Sequence, residues 1–206
     1  MADGRLPRIA ILASHDGSLM QAVIDACQSS RLTARVNVVI SNNSDSGAIK
    51  RAEAAGIPTA HMSGRTHTEA AELDCAMANL LQDERTNLVV LAGYMKRLGP
   101  VTLEEFAGHI VNTHPALLPK YGGQGFYGRR VHEAVLASGD GESGATVHVV
   151  EGDYDSGPII AQRKVRVYPD DTAERLEARV KDCERELLVD TLDDLLIDYF
   201  LTEDDT

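Results

Sequence analysis

Asn112 and His114 stand two residues apart in Ile110-Val111-Asn112-Thr113-His114-Pro115, at the end of an apolar run. On an extended chain that spacing puts both side chains on one face. An amide donor and an imidazolium aimed at one point are what a developing oxyanion requires, because donors fixed in advance need not reorganise as charge appears. Pro115 and Pro119 exclude a helix here, since proline lacks the amide hydrogen and pushes its predecessor toward extended geometry. The strand is expected to end where this chemistry begins. A second such end, Ala145 to Val150, runs into the polar turn Glu151-Gly152-Asp153-Tyr154-Asp155-Ser156-Gly157-Pro158. Asp155 is suited to pair with His114, favour its charged form and move a proton. Together the three make a candidate acyl-transfer site. The residues alone equally allow plainer roles: a turn cap for Asn112, a hydrogen-bonded loop histidine at position 114, and an Asx-turn residue at 155.

Other groups give weaker signals. Gly17 and Ser18 open a helical pattern, and the free amides of a helix N-terminus favour a phosphate, although simple capping would look the same. Neither G-x-G-x-x-G nor G-x-x-x-x-G-K-[ST] is present, which leaves no support for a nicotinamide or ATP site. His15, His61, His67 and His109 lack metal-ligand spacing, and neither H-E-x-x-H nor C-x-x-C occurs, so no metal is expected. The acidic stretch Glu174 to Glu186 reads as a solvated helix face, with Glu184 the candidate exception.

Elements that could position these residues follow from the apolar pattern. Arg8–Ala13, Val36–Ser41 and Leu88–Ala92 read as buried strands, and Ile57–His61 as a short edge strand. Leu19–Gln28, Ala48–Ala55 (stopped by Gly56), Thr68–Asp83, Val101–Phe106 and Arg130–Ser138 read as helices. Ala145–Val150 and Ile159–Val167 are close enough in sequence to pair antiparallel. Thr172 to about Phe200 reads as one or two helices, with Asp204-Asp205 an acidic tail. The alternation predicts an α/β, Rossmann-like fold: a mainly parallel twisted sheet, helices on both faces, and an antiparallel C-terminal extension. Ligands of such sheets lie beyond the carboxyl ends of the strands, where every cluster named here is expected to converge.

Composition narrows the function further. At 206 residues the chain fits one domain, and with 43% hydrophobic and 25% charged residues it has the make-up of a soluble globular protein. A net charge of −12, from 32 acidic and 20 basic residues, excludes a general nucleic-acid binder, which needs a basic face. No apolar run reaches the roughly 18 residues of a membrane span, and Met1–Arg5 lacks a signal-peptide pattern. Cys27, Cys75 and Cys183 are odd in number and widely spaced, as reduced thiols of a cytoplasmic protein would be.

Three segments carry a resemblance over nearly the whole chain, Ile9 to about Val189. They are Leu91-Ala92-Gly93-Tyr94-Met95, Asn112 through Tyr121, and Gly144-Ala145-Thr146-Val147-His148 leading to Asp155-Ser156-Gly157-Pro158. In these the chain resembles the glycinamide ribonucleotide formyltransferases of the folate-dependent formyltransferase family. The resemblance implies a single domain of residues 1–206, with a nucleotide-binding half at about 8–100 and a folate and catalytic half at about 101–200. It implies 10-formyltetrahydrofolate as co-substrate, glycinamide ribonucleotide as acceptor, and a monomer or homodimer. Asn112, His114 and Asp155 take the catalytic positions, with His148 supporting. Gly17, Ser18 and Leu19 match the phosphate loop, and Glu184 a ribose-binding carboxylate. Met95, Lys96, Arg97 and Leu98 would meet the folate from one side and Val150, Glu151, Gly152, Asp153 and Tyr154 from the other.

Two departures bear on the acceptor. The family's first loop usually reads G-S-N, whereas this chain has Gly17-Ser18-Leu19. The segment Gly122 to His132 is longer than usual and glycine-rich, which suggests a lid in which Arg129 and Arg130 add phosphate contacts. The competing functions are formyl transfer to another amine, such as an amino sugar nucleotide or an initiator aminoacyl-tRNA, and hydrolysis of formyltetrahydrofolate. The tRNA and sugar enzymes carry further C-terminal sequence, and the hydrolases a regulatory N-terminal domain. A non-catalytic folate-binding module ranks last, because Asn112, His114 and Asp155 are all present.

Overall fold

The computed structural model describes residues 6–203, with side chains described through residue 197; Met1–Arg5 and the Asp204-Asp205 tail lie outside the described residues. Seven strands form one sheet: β1 Arg8–Leu12, β2 Arg35–Ser41, β3 Thr59–His61, β4 Leu88–Leu91, β5 Ile110–His114, β6 Glu142–Val149 and β7 Ile159–Arg166. The helices are α1 Ser18–Gln28, α2 Gly47–Ala54, α3 Ala70–Asp83, α4 Pro100–Glu105, α5 Arg129–Ser138 and α6 Ala173–Glu203. The strand order is β3-β2-β1-β4-β5-β6-β7. The first five strands pair in parallel, while β6 and β7 run antiparallel.

Side-chain alternation along the strands divides the core. Ile9, Ile11, Val39, Val90, Val111, Ala145 and Val147 pack under α1 and α6, against Met20, Val23, Leu188 and Leu192. Ala10, Leu12, Val38, Ile40, Val89, Leu91 and Ile110 face Met77 and Leu81 of α3. This continuous aliphatic burial on both faces is what a parallel sheet demands. Because β1 pairs with β2 on one side and β4 on the other, the strand order reverses there, and the loops after β1 and β4 meet. Ser14 N donates to Gly93 O at 3.2 Å, Met95 N donates to Ser14 Oγ at 2.8 Å, and that hydroxyl donates to Asn42 Oδ1 at 2.6 Å.

One expectation changes and another is narrowed. The ladder with β6 carries β5 through His114, so this histidine is a strand residue and not a loop residue; its register partner is Thr146. The C-terminal segment is one 31-residue helix, α6, because Leu176, Val180, Leu187, Leu188 and Leu192 keep a continuous buried stripe with no breaker.

Candidate active site

The parallel-to-antiparallel switch between β5 and β6 sets Asn112 directly opposite His148. Asn112 Nδ2 lies 3.1 Å from His148 Nε2, and His148 Nδ1 lies 2.8 Å from Val149 O. A carbonyl facing Nδ1 puts a hydrogen there, which leaves Nε2 of the neutral ring to accept from the Asn112 amide. Both histidines then turn toward one carboxylate. His114 Nδ1 is 3.4 Å from Asp155 Oδ2, and His148 Nε2 is 3.5 Å from Asp155 Oδ1. Gly123 N donates to Asp155 Oδ2 at 2.9 Å. Burial alone would raise the Asp155 carboxyl, but His114 beside it and the Gly123 amide outweigh it and hold the group well below the usual carboxylate range. Asp155 is therefore an ionised, buried acceptor, with its backbone at φ 55.

His114 is 4% exposed, and its Nε2 lies 2.7 Å from the carbonyl oxygen of Tyr121. The donor expected to aim at substrate alongside Asn112 is thus engaged inside the protein. The loop that supplies the carbonyl is itself pinned from β6 and β7. Buried Thr146 Oγ1 donates to Ala116 O at 2.6 Å and accepts from Leu118 N at 3.1 Å and Gln162 Nε2 at 2.9 Å. Gln162 also donates to Leu118 O at 2.9 Å, beside the cis Leu118-Pro119 bond. Thr146, Gln162 and the backbone of Tyr121 and Gly123 were not legible as site residues. Only the period-two spacing of Thr146 and His148 hinted that Thr146 shares the catalytic face.

Arg97 brings the two expected folate segments together. Its Nη2 donates to Gly152 O at 3.2 Å and to Asp153 Oδ1 at 3.0 Å, and the guanidinium lies 5.6 Å from the centre of the Tyr154 ring. Met95 and Tyr154 are exposed, Lys96 and Glu151 are solvent-facing, and Leu98 and Val150 pack against the α3-side core.

At the first loop, Gly17 has φ 76, and a Cβ there would lie 2.8 Å from Ala48 Cα, so glycine is required. Ser18 N donates to Asp16 Oδ1 at 3.1 Å, and Arg51 holds the same carboxylate at 3.3 Å. Leu19 packs against the α1 and α6 core, which leaves its backbone alone to face a ligand. Glu184 reaches in from α6 to the β5 end, near Thr113 and His114, and enclosure pushes its carboxyl up despite the opposing pull of those neighbours. Arg129 and Arg130, offered as phosphate contacts, have partners of their own: Arg129 bridges Glu174 at 2.7 Å and Glu177 at 3.5 Å, and Arg130 stacks on Tyr127. Among the described residues no group of His, Cys, Asp and Glu is arranged to hold a metal ion, and no helix is long and apolar enough to cross a membrane.

Residues 7–192 match the formyl transferase family. The chain belongs to that family. It is 41% identical over 182 residues to a phosphoribosylglycinamide formyltransferase from Haemophilus influenzae, covering 88% of this chain and 84% of that one. Over 173 residues it is 36% identical to the Escherichia coli protein of the same name, covering 84% and 79%. The crystal structure of glycinamide ribonucleotide transformylase 1 from Symbiobacterium toebii superposes with a TM-score of 0.87 at 34% identity, covering 94% and 89%. In this formyltransferase the ends of β1, β4, β5 and β6, with the segments that follow them, carry every candidate group except Glu184, which α6 supplies.

Proposed function

We propose that this chain transfers the formyl group of 10-formyltetrahydrofolate to the amine of glycinamide ribonucleotide in purine biosynthesis, giving formylglycinamide ribonucleotide and tetrahydrofolate. The observation that carries the reading is the Asn112, His148, Asp155 and His114 cluster at the β5–β6 seam, in a chain whose relatives bear that activity in their names.

In this reading the acceptor amine attacks the formyl carbon, whose carbonyl oxygen takes the electron pair as an oxyanion. Asn112 supplies its second amide hydrogen to that oxygen, the first being directed at His148. Protonated His114 supplies the other donor once its Nε2 leaves the Tyr121 carbonyl. Asp155, already ionised, stabilises the imidazolium and assists the proton on its way from the amine to folate N10 as the carbon–nitrogen bond breaks. Met95 to Leu98 and Val150 to Tyr154 hold the folate, with Arg97 tying the two segments. The backbone amides of Gly17 to Leu19 take the phosphate, and Glu184 takes the ribose. The phosphate and ribose groups therefore come from opposite halves of a single domain. In this reading the enzyme works in the cytoplasm on small-molecule substrates.

The test is spectrophotometric release of tetrahydrofolate with and without glycinamide ribonucleotide. Nucleotide-dependent turnover is expected. Release that proceeds equally without the nucleotide would instead mark a hydrolase, and folate binding with no release would direct the search to another amine.

A further inference from the structure

Thr113 lies between the two β5 residues assigned to the reaction, and strand alternation turns it to the opposite face. There it follows Val111 and pairs in register with Val147, both packed under α1 and α6. The residue is 7% exposed, and its hydroxyl has no partner at ordinary hydrogen-bond distance. Packing does not account for that hydroxyl. Valine has the same branched shape, suits a strand at least as well, and leaves no buried polar atom unpaired.

Glu184 is the polar side chain that comes to Thr113 from α6. The residue is half-buried, and enclosure of its carboxyl raises it above its ordinary range. The same carboxyl interacts with His114, so at this strand end the two faces of β5 meet around one acidic group. The Thr113 hydroxyl, without a partner at ordinary hydrogen-bond distance, stands beside the Glu184 carboxyl. A ligand hydroxyl satisfies both at once, donating to the carboxylate and accepting from the threonine.

Resting on the formyl-transfer reading, we propose that Thr113 is a specificity-determining residue which, with Glu184, reads a sugar hydroxyl of the acceptor. Residue 113 then serves the acceptor sugar while Asn112 and His114 serve the formyl group, and one five-residue strand registers the two substrates against each other. An apolar residue at 113 would leave Glu184 to hold the sugar alone.

The experiment uses Thr113→Val and Thr113→Ser in steady-state kinetics, with folding checked by thermal melting. For Thr113→Val, KM for glycinamide ribonucleotide should rise roughly tenfold, while kcat and KM for formyltetrahydrofolate stay within about twofold. Thr113→Ser should recover the nucleotide KM. On the 2-deoxyribosyl or the 3-deoxyribosyl form of the nucleotide, the difference between wild type and Thr113→Val should vanish. An unchanged nucleotide KM in Thr113→Val overturns the proposal. So does a penalty that persists on both deoxy acceptors, because the hydroxyl would then act only on packing. Should the valine variant not fold, Thr113→Ala gives the same comparison. The formyl-transfer reading is tested separately and first: it fails if wild type shows no nucleotide-dependent turnover.

Discussion

Nε2 of His114 lies 2.7 Å from the carbonyl oxygen of Tyr121, and two residues later Gly123 N donates to Asp155 Oδ2 at 2.9 Å. The glycine-rich loop is thereby connected to both members of the candidate catalytic pair. Its carbonyl occupies the histidine donor, and its amide helps to keep the carboxylate ionised. Gly123 adopts φ 88, which a side chain tolerates poorly. Gly123→Ala should therefore displace the amide from Asp155 and lower kcat roughly tenfold, with a small drop in melting temperature because one hydrogen bond to a buried carboxylate is lost. A normal kcat in a folded Gly123→Ala enzyme would separate the loop from the chemistry.

The pair itself makes a sharper expectation. His114→Ala should reduce kcat by about 10³, or about 4 kcal/mol of transition-state stabilisation, with folate affinity nearly intact. Asp155→Asn should also cripple turnover, and it should move the alkaline limb of the pH profile to lower pH, because the charge that favours imidazolium is gone. Asp155 is held ionised far below neutrality, so no acid limb near pH 5 to 7 comes from its own titration. Stopped turnover for His114→Ala paired with an unshifted profile for Asp155→Asn would leave His114 in the mechanism and remove the support assigned to Asp155.

What the chain alone revealed depended on whether a residue's task was local. Leu88–Leu91 reads as a buried strand from its own composition, and Gly56 marks the end of α2 without reference to any partner. Asn112, His114 and Asp155 were legible because strand ends and turns announce themselves. Thr146 and Gln162 were not, since their work depends on the β5–β6–β7 register, which no short-range pattern encodes. The Tyr121 carbonyl is invisible for a different reason: every residue has one, and only the fold decides which one a histidine meets. The ion pairs of Arg129 were likewise not legible, because its α6 partners, Glu174 and Glu177, lie 45 and more residues away.

Thr146 offers a test of that register-dependent layer. Its buried hydroxyl serves Ala116 O, Leu118 N and Gln162 Nε2 at once. Thr146→Val keeps the shape and leaves these buried groups unpaired, so it should cost about 2–4 kcal/mol in urea unfolding. It should also lower kcat, since the loop it anchors carries the Tyr121 carbonyl. Thr146→Ser should retain most of both. A Thr146→Val protein as stable as wild type would show that the loop is held by its prolines instead.

His132 on α5 sets an acid limit on stability. The ring is 1% exposed, and its Nδ1 has no partner. Burial, opposed by Glu177 and reinforced by Lys181 and His114, brings its pKa down to about 4 from the ordinary 6.5. The folded protein thus holds His132 neutral where the unfolded chain would protonate it. Its contribution to stability is complete above about pH 6.5 and is lost progressively as pH falls toward 4, by an amount on the order of 3 kcal/mol. His132→Leu removes the titrating group while keeping an apolar side chain of similar bulk. The loss of urea stability between pH 7 and pH 4.5 should shrink in this variant relative to wild type. Equal losses in the two proteins would assign the acid sensitivity to groups other than His132.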